Sequence, residues 1–192
     1  MKITNNKQHE IAVREINDRI KAINDYLGEG DETKLSEPYL IRIPPGYIRT
    51  ADEFRAMLEI PITSQLKTNV AYHLILSDLY SLLLNRYKVW GTLREMIIKS
   101  QIVNIAAICE SILVKLTSKN GGYVKRVQKL LKSGVICEEC ARSLEWLWNR
   151  RKGIHLFELD KIEYDQYDDS DFDKALYTLK LLIHDTDVKQ AN

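Results

Sequence analysis

Ile102-Val103-Asn104-Ile105-Ala106-Ala107-Ile108-Cys109-Glu110-Ser111-Ile112-Leu113-Val114-Lys115-Leu116 carries only two charges, Glu110 and Lys115. It is the middle of a helical stretch from Thr92 to Lys119. A surface helix keeps one apolar stripe, whereas a helix apolar nearly all round must be covered on several sides. This stretch therefore predicts a central helix with other helices packed around it.

The flanking sequence supplies those helices. Ser64–Tyr87 is rich in Leu, Ile and Tyr, and Leu66, Val70, Leu74, Leu79 and Leu83 mark its buried stripe. Gly91 marks a break before the central helix. Asn120-Gly121-Gly122 is a cap and turn. Tyr123–Lys132 reads as a short basic amphipathic helix with Val124, Val127, Leu130 and Leu131 inward, and Ser133-Gly134 ends it. Glu138 to about Lys152 forms the next helix, with Cys137, Cys140, Ala141, Leu144, Leu147 and Trp148 as its stripe. Ser170 with Asp173 resembles a capping box. It opens a last helix whose inward face is Phe172, Ala175, Leu176, Leu179, Leu182 and Ile183. Short connections make the set antiparallel, so residues 63–192 predict an all-α, up-and-down bundle of four to five helices.

Residues 1–62 read as an N-terminal arm. Asn5–Tyr26 is amphipathic, with Ile11, Val13, Ile16, Ile20 and Ile23 at mostly three- and four-residue steps. Tyr39–Ile43 is the one credible strand. Thr50 with Glu53 has capping-box spacing and starts a short helix to Ile60, stopped by Pro61.

At 192 residues, 45% hydrophobic, the chain can bury one good core. Its net charge of +1 excludes a molecule-wide electrostatic binder of nucleic acid or membrane. The first ten residues are polar and no run is expected to reach the length of a membrane span. Cys109, Cys137 and Cys140 are an odd number in a chain large enough to fold without disulfides, which predicts reduced thiols and a cytoplasmic protein. Cys137-Glu138-Glu139-Cys140 has metal-ligand spacing, but no second Cys or His pair accompanies it. Asp169, Asp171 and Asp173 begin like a calcium loop, yet Lys174 stands where Gly is needed and Lys180 where the closing Glu is needed. No metal and no cofactor is expected.

Candidate chemistry collects at Trp146-Leu147-Trp148-Asn149-Arg150-Arg151-Lys152-Gly153-Ile154-His155-Leu156-Phe157. A titratable His beside cations that stabilise developing charge suits phosphodiester cleavage. The same residues also complement the negative end of a helix dipole. If the helix runs on through Gly153, Arg151 and His155 share one face with Leu144, and Arg150 flanks them. If Gly153 bends it, His155 swings toward Arg150. Glu110, the lone acid in the apolar middle of the central helix, is expected either to orient an arginine of this motif or to sit half-exposed at a groove. From Ser111 to Cys137 there is no acid, and Lys115, Lys119, Lys125, Arg126, Lys129 and Lys132 fall there. Lys125, Arg126 and Lys129 could track an RNA backbone; the other reading is a solvated helix face. Asp160, Glu163, Asp165, Asp168, Asp169, Asp171 and Asp173 follow the motif. They would repel a phosphate path, unless they pair with the basic helix or meet a basic partner.

From about Ser64 to Asp185 the chain resembles a HEPN domain (the higher-eukaryote and prokaryote nucleotide-binding superfamily). The match is two long antiparallel helices, two shorter ones, the Arg–His motif and a closing helix. Arg150-Arg151-Lys152-Gly153-Ile154-His155 fits the family's Arg-x4-6-His pattern, and it follows Lys132-Ser133-Gly134 and Leu144–Trp148 in the family's order. The resemblance implies a metal-independent RNA endonuclease built as a homodimer, with two copies facing each other across one cleft. His155 would move a proton as the RNA 2′-hydroxyl attacks phosphorus, and Arg150 would bind the phosphate, with Arg151 as a further anion binder. The products would be a 2′,3′-cyclic phosphate and a 5′-hydroxyl. Such proteins serve as toxins or abortive-infection effectors, with an antitoxin or defence-system partner. Two positions depart from the pattern. Arg151 stands where many members have Asn, Asp or His, and Phe157 replaces the tyrosine that nucleotidyltransferase antitoxins modify. The other class open to this fold is a non-catalytic dimer that binds a protein or nucleotide, because fold alone does not give function.

Overall fold

The computed structural model describes residues 2–28, 46–117, 121–152, 162 and 164–187. Among these the chain is all-α, with seven helices: α1 (Asn6–Gly28), α2 (Ala51–Met57), α3 (Ser64–Arg86), α4 (Gly91–Leu116), α5 (Tyr123–Lys132), α6 (Glu138–Lys152) and α7 (Asp169–Asp185). The segment expected to be a strand, Tyr39–Ile43, lies outside the described residues. The chain divides into two compact units, Met1–Ile43 and Pro44–Asn192.

In the second unit α4 is the centre, packed on α3, α5, α6 and α7. Ile98, Ile102, Ile105, Ile108, Cys109, Ile112 and Leu113 are all buried on it. Contrary to expectation, one helix is long and apolar enough to cross a membrane by length and composition alone. It is α4, and 56% of its most apolar window is buried inside the molecule. Its apolar surface is taken up by the core.

Cross-helix contacts give the directions. His73 meets Asn104 and Ser77 meets Gln101, so later residues of α3 face earlier residues of α4. Tyr123 stacks on Trp148 and Gln128 bonds Glu145, which sets α5 antiparallel to α6. Lys174 lies over Trp146 and Tyr177 donates to Glu139, which sets α7 antiparallel to α6.

The caps follow the sequence, with two shifts. Thr50 and Glu53 form both bonds of a capping box, and α2 stops at Met57, short of Ile60. Phe54, Leu58 and Ile60 are buried and Leu58 and Ile60 join the main core, so α2 packs with the bundle, within the unit that begins at Pro44. The guanidinium of Arg49 grips Asp78 of α3 through two nitrogens and lies over the Phe54 ring, tying the approach to α2 onto α3. At α7 the cap is Asp168 with Asp171, not Ser170 with Asp173. Two acids two residues earlier do the same job, because a carboxylate both accepts the free N–H groups and complements the positive helix end.

The stripes also shift. In α3, Val70, Ala71, Ser77, Leu82 and Leu84 are buried, whereas Leu66 and Leu74 only lean on the core. In α5, Tyr123 is buried and Val124 is exposed, since the Tyr123 ring is taken up by Trp148.

Candidate functional site

The Arg–His motif begins on the last turn of α6, which is helical through Lys152. Gly153, His155 and Phe157 lie outside the described residues, and so does the choice between a bend and a continuing helix on which Arg150 or Arg151 depends.

Arg150 is held on three sides. Its Nε donates to Asp171 Oδ1 at 3.1 Å, and its Nη2 donates to Asp171 Oδ2 and, at 3.0 Å, to the Gln166 carbonyl. Its guanidinium carbon stands 5.2 Å from the centroid of the Tyr167 ring. The Asp171 side chain is 10% exposed and that of Arg150 34%. A two-pronged arginine–carboxylate pair of this kind fixes the plane of the guanidinium as well as its position. Among the described contacts Nη1 has none. Asp171 in turn accepts from the Asp168 backbone N–H, so the α7 capping box and the arginine clamp share one carboxylate.

The segment before α7 is stitched to α4 as well. Buried Glu95 accepts the Gln166 N–H at 3.0 Å, and Arg94 pairs with Asp169 at 2.5 Å. Asp168 is held below the usual carboxylate range, first by the Ser170 hydroxyl and then by the Asp171 N–H. Of the acids that threatened to repel a phosphate path, Asp169 and Asp171 are thus paired with arginines and Asp168 caps α7.

Glu110 makes no described hydrogen bond or ion pair with Arg150 or Arg151. It is half-buried, and the carboxylate on Arg150 is Asp171. The part of α4 that reaches the arginine's surroundings is Glu95, and Glu110 lies about four turns further along, roughly 22 Å of helix at 1.5 Å per residue. Glu110 helps raise the Tyr123 hydroxyl above the usual range, behind the larger effect of burial.

Arg151 turns the other way. It covers the Trp148 indole at 4.9 Å, beside Lys152 at 5.8 Å. Tyr123 stacks on Trp148 with ring centroids 4.4 Å apart and planes 6° apart. The stack joins the end of α6 to the start of α5, which carries the basic face. There Lys125 and Lys129 are exposed and line an open concavity with Gln128, Lys132 and Ser133, while Arg126 is half-buried. No described ion pair involves Lys125 or Lys129 with the acids around α7.

Sequence reasoning missed Asp171, Tyr167 and Glu95. The signal for Asp171 was its three-residue spacing from Asp168. It also missed a cavity of about 370 Å³ between α2, α3 and α7, walled by Phe54, Leu58, Leu74, Leu176 and Ile183 with Arg49–Asp78 at its edge. Among the described residues no group of three His, Cys, Asp or Glu side chains converges as a metal site. Comparison with family models, curated proteins and solved structures returns no match to this chain.

Proposed function

We propose that the bundle is a HEPN-type RNA endonuclease that cleaves single-stranded RNA without a metal, in the cytoplasm, as a toxin or phage-defence effector. In this reading two copies face each other, Arg150 binds the scissile phosphate and His155 transfers the proton as the 2′-hydroxyl attacks. Phosphorus gains the 2′-oxygen and loses the 5′-oxygen, which leaves as a hydroxyl once protonated. The observation that carries the reading is Arg150 itself. Its plane is fixed by Asp171, Gln166 and Tyr167 while Nη1 has no partner among the described residues, which is how a preorganised anion binder is built. Lys125 and Lys129 add a solvent-facing basic surface on α5, the helix joined to the motif helix through Tyr123 and Trp148.

The same clamp favours a second reading. An arginine that spends Nε and Nη2 on the cap of α7 also serves as a structural fastener, as it would in a non-catalytic HEPN dimer that binds a protein or nucleotide. A cleavage assay separates the two. The endonuclease cuts RNA in EDTA, leaves a 2′,3′-cyclic phosphate and loses activity in His155→Ala at unchanged helical content. Arg150→Ala loses about 2–4 kcal/mol of transition-state stabilisation. Absence of cutting by freshly purified protein, or cutting unaltered in His155→Ala, supports the binding module.

A further inference from the structure

Two of the chain's three thiols stand at the opposite end of α6 from Arg150. Cys137 precedes the helix and Cys140 lies in its first turn. The Cys137 carbonyl accepts the Ala141 N–H at 3.0 Å, the first bond of the helix, and the Cys137 sulfur accepts the Cys140 N–H at 3.4 Å. A thiol thus takes the capping place that a Ser, Thr or Asp oxygen usually fills. Cys137 is exposed, whereas Cys140 is fully buried. Three helical steps put their Cα atoms about 5 Å apart, inside the span of roughly 4.4–6.8 Å that a disulfide bridges. Cβ bonds tilt toward the start of a helix, so Cys140 leans back toward Cys137. The third member of the cluster comes from α7. Asp185 Oδ2 accepts the Cys137 N–H at 2.8 Å, and its side chain is 12% exposed. Burial first, and then the Asp185 carboxylate, pushes the Cys140 thiol above its usual range. Cys140 therefore stays a thiol until a base takes its proton.

We propose that Cys137 and Cys140 are a redox-active dithiol that exchanges with small disulfides, with Asp185 as the proton acceptor for Cys140. Exposure assigns the roles. Cys137 is the sulfur that a disulfide in solution can reach, and the Cys140 N–H points at it, where negative charge must sit for attack. Cys137 loses its proton to water and attacks one sulfur of the small disulfide. That S–S bond breaks, and one half leaves as its thiolate. Cys140 then gives its proton to Asp185 and attacks the Cys137 sulfur. The Cys137–Cys140 bond forms, the second half leaves, and the two thiolates take up the two released protons. The protein pair has lost two electrons, and one small disulfide has become two thiols. Neighbouring charge sets the preferred class. Glu138 and Glu139 follow Cys137 directly, so a cationic disulfide such as cystamine is favoured over anionic glutathione disulfide. The pair is about 20 Å along α6 from Arg150, at 1.5 Å per residue, and is independent of the RNA-cleavage reading.

The test treats the reduced full chain with cystamine, quenches it with acid, alkylates the remaining thiols in denaturant and maps them by peptide mass. The expected product is a Cys137–Cys140 disulfide within one chain, with Cys109 alkylated. Cys140→Ser is expected to stop at a stable mixed disulfide on Cys137, and Cys137→Ser to give neither product over the same time. Asp185→Asn keeps an oxygen for the Cys137 N–H. It is expected to let the mixed disulfide accumulate before it closes, which loss of a merely structural contact would not do. Glutathione disulfide is expected to react several-fold more slowly than cystamine, a gap that narrows with added salt. Circular dichroism checks that each variant keeps its helices. A mixed disulfide that persists on Cys137 of the natural chain, a bond made to Cys109, or an unreacted Cys137 would overturn the dithiol. Closure without accumulation in Asp185→Asn would overturn the role of Asp185, and equal rates with the two disulfides would overturn the charge preference.

Discussion

Asp171 accepts the Arg150 clamp on one side and the Asp168 N–H on the other, so a single carboxylate joins α6 to the start of α7. Asp171→Ala leaves the arginine unpaired at a third of full exposure. It is expected to cost about 2 kcal/mol, less than the 3–5 kcal/mol of a fully buried pair, as read from urea unfolding. Its partner in the cap, Asp168, predicts a pH effect. Its carboxyl sits below the ordinary 3.8 in the folded chain, so the unfolded chain binds the proton more readily. Its contribution is therefore full above about pH 4 and is lost as the pH falls through the folded value. Melting temperatures followed from pH 6 down to pH 3 should fall less steeply in Asp168→Asn than in the natural chain. The arginine was legible in the sequence because its spacing to His155 is a motif. Its carboxylate was not. The apolar run around Glu110 on α4 says that an acid there needs a partner, but a one-dimensional pattern does not say which end of a central helix meets which neighbour.

Five helix spans, α1 and α3 to α6, agree with the sequence reading to within a few residues, since their ends are marked by Thr63, Gly91, Gly121 and Gly134. The three glycines adopt positive φ, at 59°, 105° and 71°. Faces were harder where apolar residues run together. Leu82-Leu83-Leu84 has no period; Leu82 and Leu84 are the buried pair, and of the two Leu84 joins the main core. The α3–α4 contact is also partly polar, with Gln101 bonded to Ser77 and Asn104 to the His73 ring and carbonyl. No apolar periodicity announces such a seam. Because α4 is covered on several sides, truncating fully buried Ile105 should open a cavity. Ile105→Ala is expected to cost about 3–4 kcal/mol by chemical denaturation. On α5 the prediction concerns electrostatics. If Lys125 and Lys129 contact RNA phosphates, replacing both with Ala should reduce the slope of log binding constant against log salt by roughly 1.4, about 0.7 per contact on a single strand. An unaltered slope would return both lysines to a solvated face.

At the scale of the whole molecule, near-neutral net charge and a locally basic α5 mean that the overall field does not favour anions and that positive charge is gathered in one patch. Of the described acids around α7, Asp169 pairs with Arg94, Asp171 with Arg150, and Asp168 caps the helix, and none of them is in a described ion pair with α5's lysines. What remains at the end of α6 is an arginine held in one plane and the basic, aromatic corner of Trp148, Arg151 and Tyr123. The decisive measurement is the cleavage rate, in EDTA, of one single-stranded oligonucleotide made as RNA and again with every 2′-hydroxyl removed. A HEPN-type endonuclease cuts the first and leaves the second intact, and His155→Ala leaves both intact. Equal cutting of the two, or cutting of the RNA at the same rate by His155→Ala, would contradict it.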